Sequence, residues 1–158
     1  MGSRQVLFGR AVMCFLLSMA SGARAQTIQV VNADGHTGTA TAAQIAAMPH
    51  ATVSVTDHDE PAQFDGVPLA ALVSAAGIQL GDTLRGQRMT EALLVEAADG
   101  YKVVFALAEV DPAFATREII LADKRDGKAM DAKEGPFRIV APGDKRAARW
   151  CVKSLRCE

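Results

Sequence analysis

The stretch Gly135-Pro136-Phe137-Arg138-Ile139-Val140-Ala141-Pro142-Gly143-Asp144, running into Lys145-Arg146-Ala147-Ala148-Arg149-Trp150, decides how this chain is read. Its apolar Phe-Arg-Ile-Val run, ended by Pro-Gly, predicts a buried strand and its turn. Three cations backed by Trp150 follow, a grouping suited to holding an anion through charge-assisted hydrogen bonds. Taken alone, the same cations also describe a solvated turn with snorkelling arginines.

At the other end, Arg4 and Arg10 flank a polar start, and Ala11-Val12-Met13-Cys14-Phe15-Leu16-Leu17-Ser18-Met19-Ala20 is an apolar core. Ala23-Arg24-Ala25 carries small residues at the two positions a signal peptidase reads, so cleavage is expected before Gln26. The apolar run is short of the roughly 20 residues a membrane span needs, and no second run follows. Residues 1–25 thus read as a signal peptide and 26–158 as one domain, periplasmic or secreted, with no membrane span after cleavage. The net charge of −1 conceals an asymmetry. Acids dominate between Gln26 and Thr116, where the bases are Arg85, Arg88 and Lys102, and bases dominate from Arg117 to Arg156. An acidic, aromatic-poor, exported domain is a poor nucleic-acid partner.

Cys151 and Cys157 survive cleavage, and an oxidising compartment favours pairing them. On a straight strand, six steps hold their Cα atoms about 20 Å apart, beyond disulfide reach. A bridge therefore requires a turn near Lys153-Ser154, and bridged and unbridged forms both remain open.

Between these ends the chain alternates elements. Thr27–Val31 reads as a strand; Thr41 as the N-cap of a helix through Met48; Ala51–Thr56 as a second strand. The cluster Asp57-His58-Asp59-Glu60, with His36 and His50 upstream, holds the atoms of a metal or acid–base site but none of the usual metal-ligand spacings. It is read as a solvated polar loop. Phe64–Pro68 reads as a reset, and Leu69–Ala76, apolar nearly all round, as a buried helix between Pro68 and Gly77. Asp99-Gly100 joins a hairpin between Ala92–Ala97 and Tyr101–Phe105, and Asp111-Pro112 stops a short helical turn at Ala106–Val110. Glu118–Ala122 is a further strand, followed by a turn at Arg125–Lys128. The sum is α+β: a mixed β-sheet with packed helices.

Gly66-Val67-Pro68-Leu69 with Leu72 and Ala76-Gly77, then Ala98-Asp99-Gly100-Tyr101, Ile120-Leu121-Ala122, Asp126-Gly127-Lys128, and finally Gly135 to Pro142 with Trp150 form an ordered set. The set resembles the molybdopterin-binding domain of the sulfite oxidase family, from about Val53 to Leu155. The resemblance implies that family's mixed α+β fold and a pterin cofactor that carries molybdenum. It further implies that Arg146 and Arg149, with Lys145 beside them, hold the cofactor's phosphate, since they stand where the family carries a basic Arg-x-x-Lys-Trp motif. The sequence departs from the family at one place. Catalytic members present a thiolate to molybdenum just after the strand corresponding to Val53–Thr56, and no cysteine lies between Gln26 and Arg149. Two readings follow. One is an exported molybdopterin-binding oxidoreductase domain with an electron-transfer or periplasmic protein partner. The other is a non-catalytic domain of the same fold that binds a small anionic ligand or a protein.

Overall fold

The computed structural model describes residues 27–31, 37–130, 135–144 and 150–157. In chain order they form β1 (Thr27–Val31), β2 (Thr37–Thr41), α1 (Ala42–Ala46), β3 (Ala51–Asp57), β4 (Glu60–Pro68) and α2 (Leu69–Ala75). Two 3-10 turns, Gly81–Thr83 and Gly86–Thr90, lead into β5 (Ala92–Ala97), β6 (Lys102–Ala106) and α3 (Leu107–Val110). β7 (Ile120–Arg125), β8 (Lys128–Ala129), β9 (Arg138–Val140) and β10 (Trp150–Cys157) complete the chain. The class is mixed α+β, as expected.

The strands run β2-β1-β10-β9-β7-β4-β3, with β5 attached to β10, β6 to β5 and β8 to β7. β10 joins the two halves. Its first residues pair antiparallel with β9, Trp150 opposite Ile139 and Cys151 opposite Arg138. Its remainder pairs antiparallel with β5 and parallel with β1, Leu155 facing Val95 on one side and Val30 on the other.

The middle of the sheet is buried on both faces, which is why Phe-Arg-Ile-Val has no polar alternation. Ile139 and Leu121 enter the larger core, with Phe137, Leu69, Leu72 and Leu155. Their neighbours Val140, Ile120 and Ala122 enter a smaller cluster with Val53, Ala62 and Phe64. Successive residues of β7 and β9 therefore serve opposite cores, as period-2 geometry requires. Ile139 and Leu121 are fully buried, and each such side chain contributes roughly 1.5–3 kcal/mol.

Several expectations need correction. Phe64–Pro68 continues β4 and does not merely reset the chain: its Gly and Pro are tolerated because the pairing with β7 shifts register between Asp65 and Gly66. α2 buries Leu69, Leu72 and Val73 and packs Ala70 and Ala71 half-buried against the same core, while Ser74 and Ala75 are exposed, so only the end of the helix faces solvent. α1 keeps Thr41 as N-cap, with a reciprocal Gln44 capping box, but stops at Ala46. β10 carries a bulge between Val152 and Ser154 and no turn, so a bridge between Cys151 and Cys157 is excluded.

The register shift has a second consequence. Gly66 faces Ala122 and Asp65 faces Lys124, leaving Asp123 as the extra residue of a β-bulge. A Cβ on Gly66 would meet the Leu121 carbonyl and the Ala122 Cα, both backbone. Gly66→Ala is expected to lower stability by about 1–3 kcal/mol, read in urea unfolding.

Asp123 binds His50 at 3.1 Å from Nε2, while Nδ1 lies 2.8 Å from the Met48 carbonyl. Both acceptors are satisfied together only by the imidazolium, which has two donors. The Asp123 hydrogen bond, then the Met48 carbonyl, raise the His50 pKa above 6.5. Because the folded value is the higher, this stabilisation is fully present below the unfolded pKa and is lost as pH rises through the folded one. The stability gap between wild type and His50→Gln should be larger near pH 5.5 than at about pH 8. An equal gap at both would contradict the assignment.

Candidate functional site

β3 presents Val53, Val55 and Asp57 to one face, and the alternation that buries Val53 and half-buries Val55 carries the carboxylate inward after them. Asp57 is 9% exposed, so the polar-loop expectation fails for it. His58 and Asp59 alone make the tight turn, both at positive φ, and His58 stays in solvent with Nε2 3.8 Å from Asp57 Oδ1.

Two arginines converge on Asp57. Arg125 Nη1 donates to Oδ2 at 2.7 Å, and Arg138 Nη1 lies 3.8 Å from the same oxygen. Arg125 reaches across the sheet because the Asp123 bulge reverses side-chain parity in β7, setting Arg125 opposite Phe64. Its guanidinium lies over the Phe64 ring, 5.6 Å from the centroid. Arg138 shares the face of Val140 by ordinary alternation. Four neighbouring strands, β3, β4, β7 and β9, thus meet in one charged cluster at the edge of the smaller core. The alternation of β3 was a legible signal for Asp57; the bulge that delivers Arg125 was not.

A second buried carboxylate escaped the sequence reading. Asp111, 1% exposed, accepts N–H bonds from Gly81 at 2.5 Å and Ala113 at 2.9 Å. It clamps the first 3-10 turn to the chain after α3. Between these segments lies an open cleft of about 410 Å3, with buried Leu84 and the exposed side chains of Met89 and Phe114 among its lining. Asp99 is a turn residue, its Oδ1 accepting the Tyr101 N–H at 3.0 Å. His50 lies apart from Asp57 and serves Asp123 instead.

Lys145, Arg146, Arg149 and His36 lie outside the described residues. The basic segment connects β9 to β10, two strands that pair with each other at the centre of the sheet. Asp144, immediately before Lys145, is held by Arg117 Nη1 at 2.8 Å, and Arg117 Nη2 also lies 3.3 Å from Glu109. Part of the basic excess of the C-terminal half is thus spent on internal acids: Arg117 on Glu109 and Asp144, Arg125 and Arg138 on Asp57. No helix among the described residues is long and apolar enough to cross a membrane.

Comparison with known proteins bears on the fold. The structure is similar to a chain of the sulfane dehydrogenase SoxCD from Paracoccus pantotrophus, with a TM-score of 0.64 at 17% identity. The likeness covers 83% of this chain and 37% of that one, so this chain spans little more than a third of that protein chain. No protein-family model matches, and no curated protein does. The two chains share a fold.

Removing Asp57 takes a buried carboxylate from two guanidiniums beside an apolar cluster, although Arg125 keeps Asp126 at 3.4 Å from its Nε. Asp57→Ala is expected to cost about 2–3 kcal/mol in urea unfolding, below the figure for a fully enclosed pair because Arg125 keeps solvent contact. A loss under about 0.5 kcal/mol, the scale of an ordinary surface substitution, would show that the cluster is loosely held.

Proposed function

We propose that this chain is an exported domain of oxidoreductase fold that binds a phosphate-bearing ligand through Lys145, Arg146 and Arg149. The pterin cofactor implied by the resemblance to the sulfite oxidase family is its foremost ligand. The observation that carries this reading is the position of the basic segment. It joins the two central strands β9 and β10, directly after a turn braced by Arg117 on Asp144. A braced turn fixes where the basic segment leaves the sheet. Arginine suits the ligand, since its planar fork gives a phosphate two parallel donors. The fold likeness to a dehydrogenase supports the oxidoreductase half of the reading, and a periplasmic protein partner would then exchange electrons with it.

Asp57 favours a second, narrower reading. At the end of β3 a carboxylate stands where catalytic members of the resembled family present a thiolate. A non-catalytic ligand-binding domain keeps the phosphate segment and needs no metal there.

The first reading is tested on protein recovered from the periplasm of a host that makes the cofactor. Wild type should carry pterin, seen by fluorescence after oxidation, and the Arg146→Glu/Arg149→Glu double variant should retain less than about a tenth as much, since each lost charge-assisted contact weakens binding severalfold or more. Equal pterin in both, with the variant folded by circular dichroism, would show that the segment does not hold the ligand.

A further inference from the structure

We propose that Arg125 and Arg138 form an anion-binding site whose resident anion is the carboxylate of Asp57, and that this closes the end of β3 to a metal. The anion site stands on the charged cluster alone, while its closure to a metal rests on the pterin reading proposed above.

The donor set decides whether molybdenum fits. A metal at this position would need a lone pair from Asp57, and Oδ2 already accepts from Arg125 at 2.7 Å with Arg138 at 3.8 Å. Binding through Oδ2 would break the Arg125 bond and take from both guanidiniums the carboxylate that offsets their charge. Oδ1 turns toward His58, whose Nε2 lies 3.8 Å away. A carboxylate is also a hard ligand, whereas the resembled family uses a soft thiolate. Among the described residues no three His, Cys, Asp or Glu side chains converge as a metal site. The residues present therefore do not fit the metal.

They do fit an oxyanion. Two arginines from neighbouring strands face one oxygen position, Phe64 limits the freedom of Arg125, and Asp126 meets Arg125 only at Nε, 3.4 Å away, leaving Nη1 for the oxygen of Asp57. Guanidinium groups fixed in this way recognise carboxylate, sulfate or phosphate oxygens, and Asp57 supplies such an oxygen from within the chain. Its tether at the tip of the β3–β4 hairpin gives it a high effective concentration, so a free anion does not displace it.

The prediction is that deleting the carboxylate exposes the site. In the Arg146→Glu/Arg149→Glu background, which disables the phosphate segment, Asp57→Ala should gain a saturable rise in melting temperature with sodium sulfate. The rise should be about 5 °C or more against sodium chloride at equal ionic strength. The background without Asp57→Ala should show no saturable rise, and adding Arg138→Gln to Asp57→Ala should remove it. A sulfate response identical with and without Asp57 would overturn the proposal. Elemental analysis of wild type from the cofactor-making host gives an answer that does not require any variant to fold. In preparations that carry pterin, molybdenum below about a tenth of an equivalent per chain supports the closed site, since an open site would hold near one equivalent. Stoichiometric molybdenum that is lost in Asp57→Asn would overturn it, and stoichiometric molybdenum retained in Asp57→Asn would support it, the metal then being held elsewhere. The pterin assay on the same preparation reports on the phosphate segment separately, so failure of one reading is not mistaken for failure of the other.

Discussion

The pairing of β10 is the constraint on which the rest of this structure depends. One strand of eight residues is hydrogen-bonded to β9 at its start and to β5 and β1 along the remainder. Leu155 is wholly buried between Val95 and Val30, so the ladder and the larger core are fixed by the same residues. A one-residue slip would turn Leu155 to the opposite face and move Cys151 out of register with Arg138. The bulge at Val152–Ser154 lets one strand serve two differently aligned halves of the sheet.

A second irregularity, the extra residue Asp123 in β7, builds the charged cluster. Without it Arg125 would lie on the opposite face from Phe64, and Asp57 would be buried without its hydrogen-bond donor. An unpaired carboxylate at that depth is expensive, so the bulge and the buried aspartate are two parts of one arrangement. Gly66 is the residue on β4 that permits the bulge, because the backbone of β7 occupies the space a side chain would need. The same irregularity carries Asp123 to His50, coupling the α1–β3 connection to the sheet.

Much of the fold was legible in local patterns. Thr27–Val31 and Ala51–Thr56 announced strands by β-branched composition. Asp99-Gly100 and Asp126-Gly127 announced turns because glycine takes up the left-handed backbone those turns demand, and each does so here. The misreadings share a cause. Phe64–Pro68 looked like a break because Gly and Pro are poor strand residues, yet a bulged pairing accepts them. Leu69–Ala76 looked buried all round because alanine is counted apolar, yet Ala75, beside Ser74, is exposed at little cost while Ala70, Ala71 and Ala76 pack against the core. Asp111 looked like a helix stop; its carboxylate also bonds Gly81, thirty residues away, and no local pattern encodes that contact.

The sequence by itself determined the α+β class, the position of most strands, the basic segment between Asp144 and Trp150, and the absence of a cysteine between Gln26 and Arg149. These are properties of composition, alternation and turn chemistry, which act over a few residues. Only the tertiary structure decided what surrounds the carboxylate at the end of β3. Asp57, Arg125 and Arg138 are separated by tens of residues and meet because a bulge and two strand registers bring them together. It likewise decided that Cys151 and Cys157 are not bridged, since a strand held by neighbours on both sides cannot fold back on itself.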